Sequence, residues 1–326
     1  MKAVLCKAWG MPEALVVEDV PSPVPGPGQV LVRVRAAGVN FPDVLIIQGK
    51  YQYRPEPPFS PGAELAGNVA ALGAGVSGYA IGDPVMAILT YGAYTQEVLV
   101  DAATLVRVPR GIDPAVAAGF GLTYATSYHA LKDRAQLKAG ETLLVLGAAG
   151  GVGLAAVELG KLMGARVIAA ASSDDKLATC ARYGADELVN YERDDLREAI
   201  RKLTDNQGVD VVYDPVGGRF AEPALRGMAW GGRYLVVGFA AGDIPKVPFN
   251  LALLKGCSIV GVFWGDFARR QPRANAENLA QLAAWLAEGK VKPLVSARYP
   301  MERVADALRD MMARRIQGKA VIEMPG

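Results

Sequence analysis

The stretch that decides the fold is Thr142-Leu-Leu-Val-Leu-Gly-Ala-Ala-Gly-Gly-Val-Gly-Leu154. It begins as an apolar run typical of a buried strand, continues as the glycine-rich turn Gly147-Ala-Ala-Gly-Gly-Val-Gly153, and opens a helical pattern. At such a turn the backbone N–H groups and the positive end of the helix dipole meet, and small residues let another group come close. The pattern predicts a site for the pyrophosphate of a dinucleotide; a glycine-rich packing turn is the alternative.

The sequence after this turn keeps the same rhythm. Short runs rich in β-branched residues alternate with amphipathic segments, and glycines follow several of the helical segments. Regular βα alternation is typical of an α/β fold with a doubly wound, parallel Rossmann sheet, which we predict here. The predicted strands are 142–146, 166–171, 187–191, 209–214, 233–238 and 258–264, and the predicted helices are 154–163, 175–183, 194–204 and 220–228.

The region before residue 142 differs in composition. It is rich in Val, Gly and Pro and shows no long helical pattern until residues 114–118, as expected of a mostly β domain. The cluster Pro21-Ser-Pro-Val-Pro-Gly-Pro27 predicts a rigid loop between strands rather than a linker. After Trp264 we predict two helices, 275–288 and 304–314, and a final strand, 319–324.

Composition limits the class of protein. The chain has 326 residues, of which 51% are hydrophobic, and this favours two domains with large cores. Its 35 basic residues nearly balance its 33 acidic ones, and no basic face of the size that binds nucleic acid is visible. No apolar run is long enough to span a membrane, and the first residues do not form a signal peptide. Three scattered cysteines, Cys6, Cys180 and Cys257, indicate free thiols in a reducing compartment, so we expect a soluble, cytoplasmic protein.

The end of the second predicted strand, Ala170-Ala-Ser-Ser173, bears on the choice of dinucleotide. NAD-dependent proteins carry an acidic residue there that holds the ribose hydroxyls. Here Ser172 and Lys176 instead offer a hydroxyl and an ammonium group that suit a 2′-phosphate. We therefore predict NADPH rather than NADH as the cofactor. Asp174 and Asp175 follow closely, and a small shift of the strand boundary would aim one of them at the ribose.

Seven short motifs extend this interpretation over nearly the whole chain. They are Gly38-Val-Asn-Phe-Pro-Asp43, Gln48-Gly-Lys-Tyr51, Pro61-Gly-Ala-Glu-Leu-Ala-Gly67, Gly82-Asp-Pro-Val85, the turn at 147–153, Val189-Asn-Tyr191 and Asp214-Pro-Val-Gly217. With these motifs the sequence resembles the medium-chain dehydrogenase/reductase superfamily, and within it the zinc-free quinone oxidoreductase branch. The resemblance implies a GroES-like catalytic domain at 1–124 and 265–326, a Rossmann dinucleotide-binding domain at 125–264, and a site in the cleft between them.

Zinc-dependent members of the superfamily carry metal ligands at positions that differ here. Where they have a Cys and a His, this sequence has Asn40 and Ala63, and their four-cysteine lobe is absent. His129 is the only histidine, so a catalytic zinc held by Cys and His cannot form, and we expect this side chain to be packed or hydrogen-bonded. Without a metal to stabilise an alkoxide, a quinone or similar conjugated carbonyl compound is the better hydride acceptor, because it spreads the incoming charge itself.

The resemblance also implies roles for individual side chains. Asp43 and Glu64 are expected to support loop structure rather than to act as acid or base. For Tyr191 and Phe239 packing in the sheet core is the alternative, and Arg314 is a further candidate for the 2′-phosphate. The expected cofactor contacts are Asn40 and Thr126 at the nicotinamide ribose, Gly150, Gly151 and Val152 at the pyrophosphate, Ser172, Lys176 and Tyr191 around the adenosine phosphate, and Phe239, Phe263 and Lys319 closing the site.

Tyr51 is the predicted catalytic side chain. In related enoyl thioester reductases, a tyrosine in a Gly-x-Tyr segment such as Gly49-Lys-Tyr51 donates the proton that follows hydride transfer, and a phenol can act as a general acid. The alternative is an aromatic wall for a flat ring, formed with Phe41, Tyr53 and Trp264. The sequence leaves both interpretations open.

The leading hypothesis for function is therefore a metal-free NADPH:quinone oxidoreductase. An enoyl thioester reductase is the nearest alternative, and a non-enzymatic nucleotide-binding structural protein is the third. The expected partners are small-molecule substrates, with no nucleic acid and no membrane. The resemblance implies a homodimer in which strand 258–264 extends the sheet with its symmetry mate, although an internal strand would have a similar sequence. These patterns encode neither the physiological acceptor nor the choice between one-electron and two-electron reduction.

Overall fold

The protein forms two compact units, as a computed structural model that describes residues 1–325 shows. The split unit comprises Met1–Leu122 and the chain from Ala283 onward. The central unit comprises Thr123–Leu282. Each unit encloses its own apolar core, as expected for a chain of this length.

The second boundary between the compact units lies after residue 282, so the central unit includes residues 265–282. The segment in question is bonded to the central unit. Phe267 stacks on His129 with ring centroids 3.9 Å apart, and Asn278 donates to Asp133 at 2.8 Å. These contacts hold residues 265–282 in the compact central unit.

Secondary structure covers both units. The strands are β1 (Lys2–Cys6), β2 (Leu15–Asp19), β3 (Gln29–Val39), β4 (Glu64–Leu72), β5 (Pro84–Ile88), β6 (Glu97–Asp101), β7 (Val106–Arg107), β8 (Thr142–Leu146), β9 (Arg166–Ala171), β10 (Glu187–Asn190), β11 (Val209–Asp214), β12 (Met228–Val236), β13 (Ser258–Gly261), β14 (Val295–Pro300) and β15 (Lys319–Glu323). The helices are α1 (Phe41–Ile47), α2 (Pro114–Ala118), α3 (Gly121–Tyr128), α4 (Gly151–Leu162), α5 (Asp174–Arg182), α6 (Leu196–Leu203), α7 (Ala221–Arg226), α8 (Asn250–Lys255), α9 (Trp264–Arg270), α10 (Pro272–Ala287) and α11 (Val304–Met312). Along residues 1–325, no helix combines the length and apolar character needed to cross a bilayer.

The central unit contains the doubly wound sheet. Its strands are all parallel and follow the order β10-β9-β8-β11-β12-β13. The order of strands reverses between β8 and β11, and ligands bind at this switch point in sheets of this type. The glycine turn follows β8 at the same point. The predicted α/β fold class is confirmed.

Three strands of this sheet have different bounds from those predicted: β10 differs by a single residue, and β12 and β13 differ by more. β13 ends at Gly261 instead of residue 264, because Val262 donates a last bond to the Val236 carbonyl at 2.9 Å and the chain then turns into α9. β12 begins at Met228 rather than residue 233, because Met228 pairs with Val209 across a β-bulge. Both differences arise from pairing between distant residues, which local patterns do not report.

The split unit is built on a mixed seven-stranded sheet of the order β14-β15-β3-β4-β5-β7, with β6 also paired to β3. β14 and β15 are parallel, and the other pairs in this sheet are antiparallel. Buried apolar side chains of β3, β4 and β15 pack with α1 and α11, among them Val32, Leu65 and Ile322. The mostly β, GroES-like architecture is confirmed, and the prolines at 21–27 lie in a loop between β2 and β3 as predicted.

Candidate functional site

The turn after β8 is too closely packed for side chains at two of its glycines. Gly147 has φ of 58°, and a Cβ there would lie 2.7 Å from Val216 Cγ2. A Cβ on Gly153 would lie 2.3 Å from the Gly147 carbonyl oxygen and 2.8 Å from Ala148 Cα. Only glycine therefore lets the first turn of α4 rest against the end of β8.

The first turn of α4 has the properties of an anion site. Gly150 precedes the helix in an extended conformation and provides no side-chain cap. The N–H groups of Gly151 and Val152 have no partner in the described part of the chain, as usual for the first residues of a helix. With the positive end of the helix dipole they suit a pyrophosphate.

Ser127 is hydrogen-bonded to the first turn of α4. Its hydroxyl donates to the Val152 carbonyl at 2.9 Å and lies 2.8 Å from the hydroxyl of Tyr213. Both Ser127 and Tyr213 are fully buried. This pair could not be predicted from the sequence, because it joins α3 to β11 across residues that are far apart in the chain.

A hydroxyl and an ammonium group meet at the end of β9. Lys176 Nζ donates to Ser172 Oγ at 2.9 Å, and the Ser173 hydroxyl caps α5 by accepting from the Lys176 N–H. Ser172 and Lys176 are both half-buried. This donor set suits a phosphate monoester, because the ammonium supplies charge and both groups supply hydrogen-bond donors.

The acidic residues that follow are not at the strand end. Asp174 begins α5, where its carboxylate accepts from Asn190 Nδ2 at 3.0 Å and pairs with Arg193 at 3.2 Å. Asp175 is exposed in the first turn of the same helix. The carboxylate of Asp174 is therefore bonded to residues at and after the end of β10, and Ser172 is the residue that directly follows β9.

The remaining predicted residues of the central unit are partly accessible. Tyr191 packs its ring on Phe220 with centroids 4.2 Å apart and is half-buried. Phe239 and Phe263 keep 37% and 47% of their surface exposed, which is unusual for phenylalanine. Thr126 is half-buried on α3. The alternative prediction for Phe239 is packing in the sheet core, and a residue with 37% of its surface exposed does not fit that prediction.

Asp214 organises the neighbouring loop after β11. Its buried carboxylate accepts from the N–H groups of Val216 and Gly217 at 2.7 and 2.8 Å and from the Tyr234 hydroxyl. Burial raises the pKa of Asp214, and these hydrogen bonds oppose the rise. The carboxyl thereby places Val216 against Gly147 in the glycine turn.

A buried ionic network lies in the split unit. Lys319 Nζ donates to Asn40 Oδ1 at 2.6 Å, to Glu64 Oε1 at 2.7 Å and to the Val39 carbonyl at 2.9 Å. Asn40 Nδ2 donates to Glu64 Oε1 at 2.9 Å. Strand β15 carries Lys319, β4 carries Glu64, and Asn40 precedes α1. The structure therefore brings two predicted cofactor contacts, Asn40 and Lys319, together.

Glu64 is more central than the sequence indicates. Its second oxygen accepts from the Leu122 N–H at 2.9 Å, and only 1% of the residue is exposed. A Cβ on Gly38 would lie 2.3 Å from Glu64 Oε1, so glycine is required beside it. The available signal was a carboxylate between apolar residues in a predicted β region, since such a group must be paired when buried.

Asp43 lies next to this network in α1. Its carboxylate accepts from the Asn40 N–H at 2.8 Å and the Tyr94 hydroxyl at 2.9 Å. Burial raises the pKa of Asp43 to about 7, although these two bonds and Lys319 act to lower it. The side chain supports the start of α1, a role of the kind expected from the sequence.

Tyr51 follows α1 and is half-buried. Its ring lies 6.1 Å from that of Tyr53, measured between centroids. Burial raises the pKa of Tyr51, and Tyr53 and Asp43 add to the rise. The phenol is therefore protonated at neutral pH, which is the form that a general acid requires.

No metal-binding cluster is present among the described residues: no three His, Cys, Asp or Glu side chains form a group that could hold an ion. His129 stacks on Phe267, and its Nδ1 lies 2.9 Å from Asp133. Burial lowers the pKa of His129, although Asp133 opposes this change. The packed and hydrogen-bonded role expected for this histidine agrees with its surroundings.

Known proteins resemble both parts of the chain. The alcohol dehydrogenase GroES-like domain family matches residues 26–110, and the zinc-binding dehydrogenase family matches residues 151–285. Quinone oxidoreductase-like protein 2 of Mus musculus is 37% identical over 325 residues, which are 99% of this chain and 92% of that protein. The match therefore extends across both units.

Solved structures agree with this match. The Escherichia coli quinone oxidoreductase complexed with NADPH has a TM-score of 0.93 at 27% identity, over 99% of this chain and 100% of that one. The JamJ enoyl reductase, in its apo form, has a TM-score of 0.88 at 26% identity, over 99% of both chains. The chain therefore belongs to the quinone oxidoreductase branch of the medium-chain dehydrogenase/reductase superfamily of oxidoreductases.

Proposed function

We propose that this protein transfers hydride from NADPH to a quinone or a similar conjugated carbonyl compound, without a metal ion. The observation that carries the proposal is the pairing of Lys176 Nζ with Ser172 Oγ at 2.9 Å, directly after β9 and beside the glycine turn. An ammonium and a hydroxyl at this position suit the 2′-phosphate that distinguishes NADPH from NADH. The related Escherichia coli enzyme, whose structure was solved with NADPH, supports the same choice.

The proposed binding roles follow the chemistry of each group. When bound, NADPH supplies the hydride. The free N–H groups at the start of α4 bind the pyrophosphate, and Gly150 keeps the approach to them open. Asn40 and Thr126 bind at the nicotinamide ribose, and Tyr191 packs beside the adenosine. Phe239, Phe263 and Lys319 close the site. Lys319 acts there through Asn40, because all three N–H donors of its ammonium group are already hydrogen-bonded within the protein.

A conjugated acceptor is favoured by the donor set. The positions of zinc ligands in relatives are held by Asn40 and Ala63, and neither side chain is a ligand that zinc prefers. A quinone or enone accepts hydride with less help than a ketone, because the charge spreads over its own conjugated system. The residues then have to orient the acceptor and exclude water.

The test is an NADPH-oxidation assay over a panel of quinones, enones and enoyl thioesters, with NADH as the cofactor control and an arm containing EDTA. We expect the highest kcat/KM with a quinone or simple enone, and no loss of rate with the chelator. Oxidation that requires added zinc would contradict the metal-free part of the proposal. Absence of oxidation with every acceptor would instead support a structural nucleotide-binding protein.

Enoyl thioester reduction is the second candidate, and Tyr51 is the observation that favours it. Its phenol is half-buried and has a raised pKa, and the JamJ enoyl reductase shares the fold. If Tyr51 donates a proton to the substrate carbon, Tyr51→Phe should lower kcat on enoyl thioesters by about a hundredfold and on quinones by less than about threefold. Tyr53→Phe is the matched control, since its ring is adjacent. Equal, small effects on both substrates would leave Tyr51 as an aromatic wall.

We also propose a homodimer formed through β13. Within residues 1–325 this strand pairs with β12 alone and forms an edge of the central sheet, so it is not an internal strand there. Apolar side chains of the helix that precedes it and of its partner strand are strongly exposed: Phe249 and Leu253 at α8, and Trp230 on β12. An exposed edge strand with an apolar flank suits pairing with a second copy.

A further inference from the structure

The amide of Asn40 is held at both ends. Lys319 donates to its oxygen at 2.6 Å, and its nitrogen donates to Glu64 at 2.9 Å. A rotated amide would place its NH2 group against the ammonium of Lys319 and its oxygen against the carboxylate of Glu64. The two charged partners therefore allow a single orientation of the amide.

Among the three side chains of this network, Asn40 is the one that keeps an unused N–H donor for a ligand. Lys319 has three N–H donors, and all three are used on Val39, Asn40 and Glu64. Both oxygens of Glu64 are also engaged, the second by the Leu122 N–H. Asn40 has a second amide hydrogen beyond the one given to Glu64, and 6% of the residue remains exposed.

We propose that Lys319 and Glu64 are positioning residues that act through Asn40: together they fix and polarise its amide so that its remaining N–H binds the nicotinamide half of the cofactor in one orientation. This inference rests on the proposed function. The ammonium on the amide oxygen strengthens the amide as a donor, because hydrogen bonds in series polarise one another in a low dielectric. An amide fixed before binding needs no reorganisation when the ligand arrives.

The network is also electrically balanced. One ammonium and one carboxylate are buried together, at 3% and 1% exposure; the ammonium also donates to the Val39 carbonyl, and the carboxylate also accepts from the Leu122 N–H. Removing one charge alone would leave the other uncompensated. A test must therefore neutralise both charges. The double variant Lys319→Met/Glu64→Gln does so, and its Gln side chain keeps an oxygen that can accept from the Leu122 N–H.

The first measurement is calorimetric binding of two ligands to the full-length protein, NADPH and adenosine 2′,5′-bisphosphate, which lacks the nicotinamide half. For Lys319→Met/Glu64→Gln we expect the Kd for NADPH to rise about tenfold and that for the bisphosphate to change less than about twofold. The control is Lys2→Met/Asp19→Asn, an exposed ion pair of the same unit, for which neither Kd should change. A fall in thermal stability with both Kd values unchanged would overturn the proposal. If the paired variant does not fold, Glu64→Asp serves the same comparison, because it keeps both charges and withdraws the carboxylate from Asn40.

The second measurement is a double-mutant cycle on kcat/KM for NADPH with p-benzoquinone. We expect Lys319→Met/Glu64→Gln to lower kcat/KM by between about ten- and a hundredfold, and by less than about twofold in an Asn40→Ala background. Equal losses in both backgrounds would show that the pair does not act through Asn40. This failure is distinct from failure of the proposed function, in which the unsubstituted protein oxidises no NADPH.

Discussion

Gly153 is the residue whose replacement tests the packing of the glycine turn most simply. A Cβ there would meet the backbone of Gly147 and Ala148, which cannot rotate away as a side chain could. We expect Gly153→Ala to lower the free energy of unfolding by about 1–3 kcal/mol and to weaken NADPH binding. Denaturant unfolding and ligand titration measure the two effects.

The control for this substitution is Gly10→Ala. A Cβ at Gly10 would lie 3.5 Å from Ala14 Cβ, an ordinary contact. Its free energy of unfolding should change by less than about 1 kcal/mol. Equal losses for Gly10→Ala and Gly153→Ala would mean that the close approach in the turn has no special cost.

Asp43 leads to a prediction about pH. Burial raises its pKa to about 7, above the value near 4 of an aspartate in an unfolded chain. The folded protein binds the proton on the Asp43 carboxyl more tightly than the unfolded chain does. Protonation of Asp43 therefore stabilises the fold fully below about pH 4, and this stabilisation is lost as the pH rises to about 7. We expect Asp43→Asn, which stays neutral, to reduce the fall in the free energy of unfolding between about pH 5 and pH 8.

The comparison for this prediction must separate Asp43 from its charged neighbours. Lys319 lowers the pKa of Asp43 and Glu64 raises it, and both stay in place in the variant. Asp19→Asn, at an exposed position, should leave the pH dependence as it is in the unsubstituted protein. An unchanged slope in Asp43→Asn would show that this carboxyl does not titrate in the neutral range.

Two pairs of residues show which contacts in the site could be predicted from the sequence and which could not. Ser172 and Lys176 are four positions apart around a strand–helix junction, so their meeting follows from local geometry and could be predicted. Lys319 and Asn40 are separated by most of the chain, and only the pairing of β15 with β3 brings them together. The resemblance to a family suggested both residues, but it could not assign Glu64 as their common partner.

At the level of elements, β13 and α8 carry the prediction about assembly. Leu253 is 79% exposed on α8, the helix that precedes the edge strand β13 in the chain. Burying an aspartate in an apolar interface is costly, so we expect Leu253→Asp to raise the dimer dissociation constant at least about tenfold. Light scattering over a concentration series measures it, and NADPH affinity should be unchanged.

A matched substitution distinguishes an effect at the proposed dimer interface from the general effect of placing an aspartate at an exposed apolar position. Ile81 is 73% exposed on the split unit, away from this strand in the chain, and Ile81→Asp should leave the dimer intact. A monomeric unsubstituted protein at micromolar concentration would contradict the assembly itself.

The elements that were predicted well share a physical cause. β8, β9 and β11 lie inside the sheet with apolar residues on both faces, and their predicted bounds agree with the structure. α1, α8 and α9 were not predicted, because each spans only six or seven residues and shows less than two turns of periodicity. Their positions depend on tertiary contacts, such as that of Phe267 with His129.

At the level of the whole molecule, the two units supply different parts of the proposed chemistry. The central unit contains the glycine turn and the pair Ser172 and Lys176, which bind the nucleotide in our proposal. The split unit contains Asn40 and Tyr51, the groups proposed to act near the reacting end. The fold could be predicted because βα alternation is regular over a long segment, whereas the acceptor could not, because it depends on few side chains.

The measurement that tests the central claim most directly is the ratio of kcat/KM for NADPH to that for NADH, with p-benzoquinone and EDTA present, in the unsubstituted protein and in Lys176→Met. A charge-assisted bond to phosphate contributes about 1.5–3 kcal/mol, so we expect the ratio to fall by at least about tenfold in the variant, with kcat/KM for NADH unchanged. Equal use of NADH and NADPH by the unsubstituted protein, or a ratio unaffected by Lys176→Met, would contradict the account.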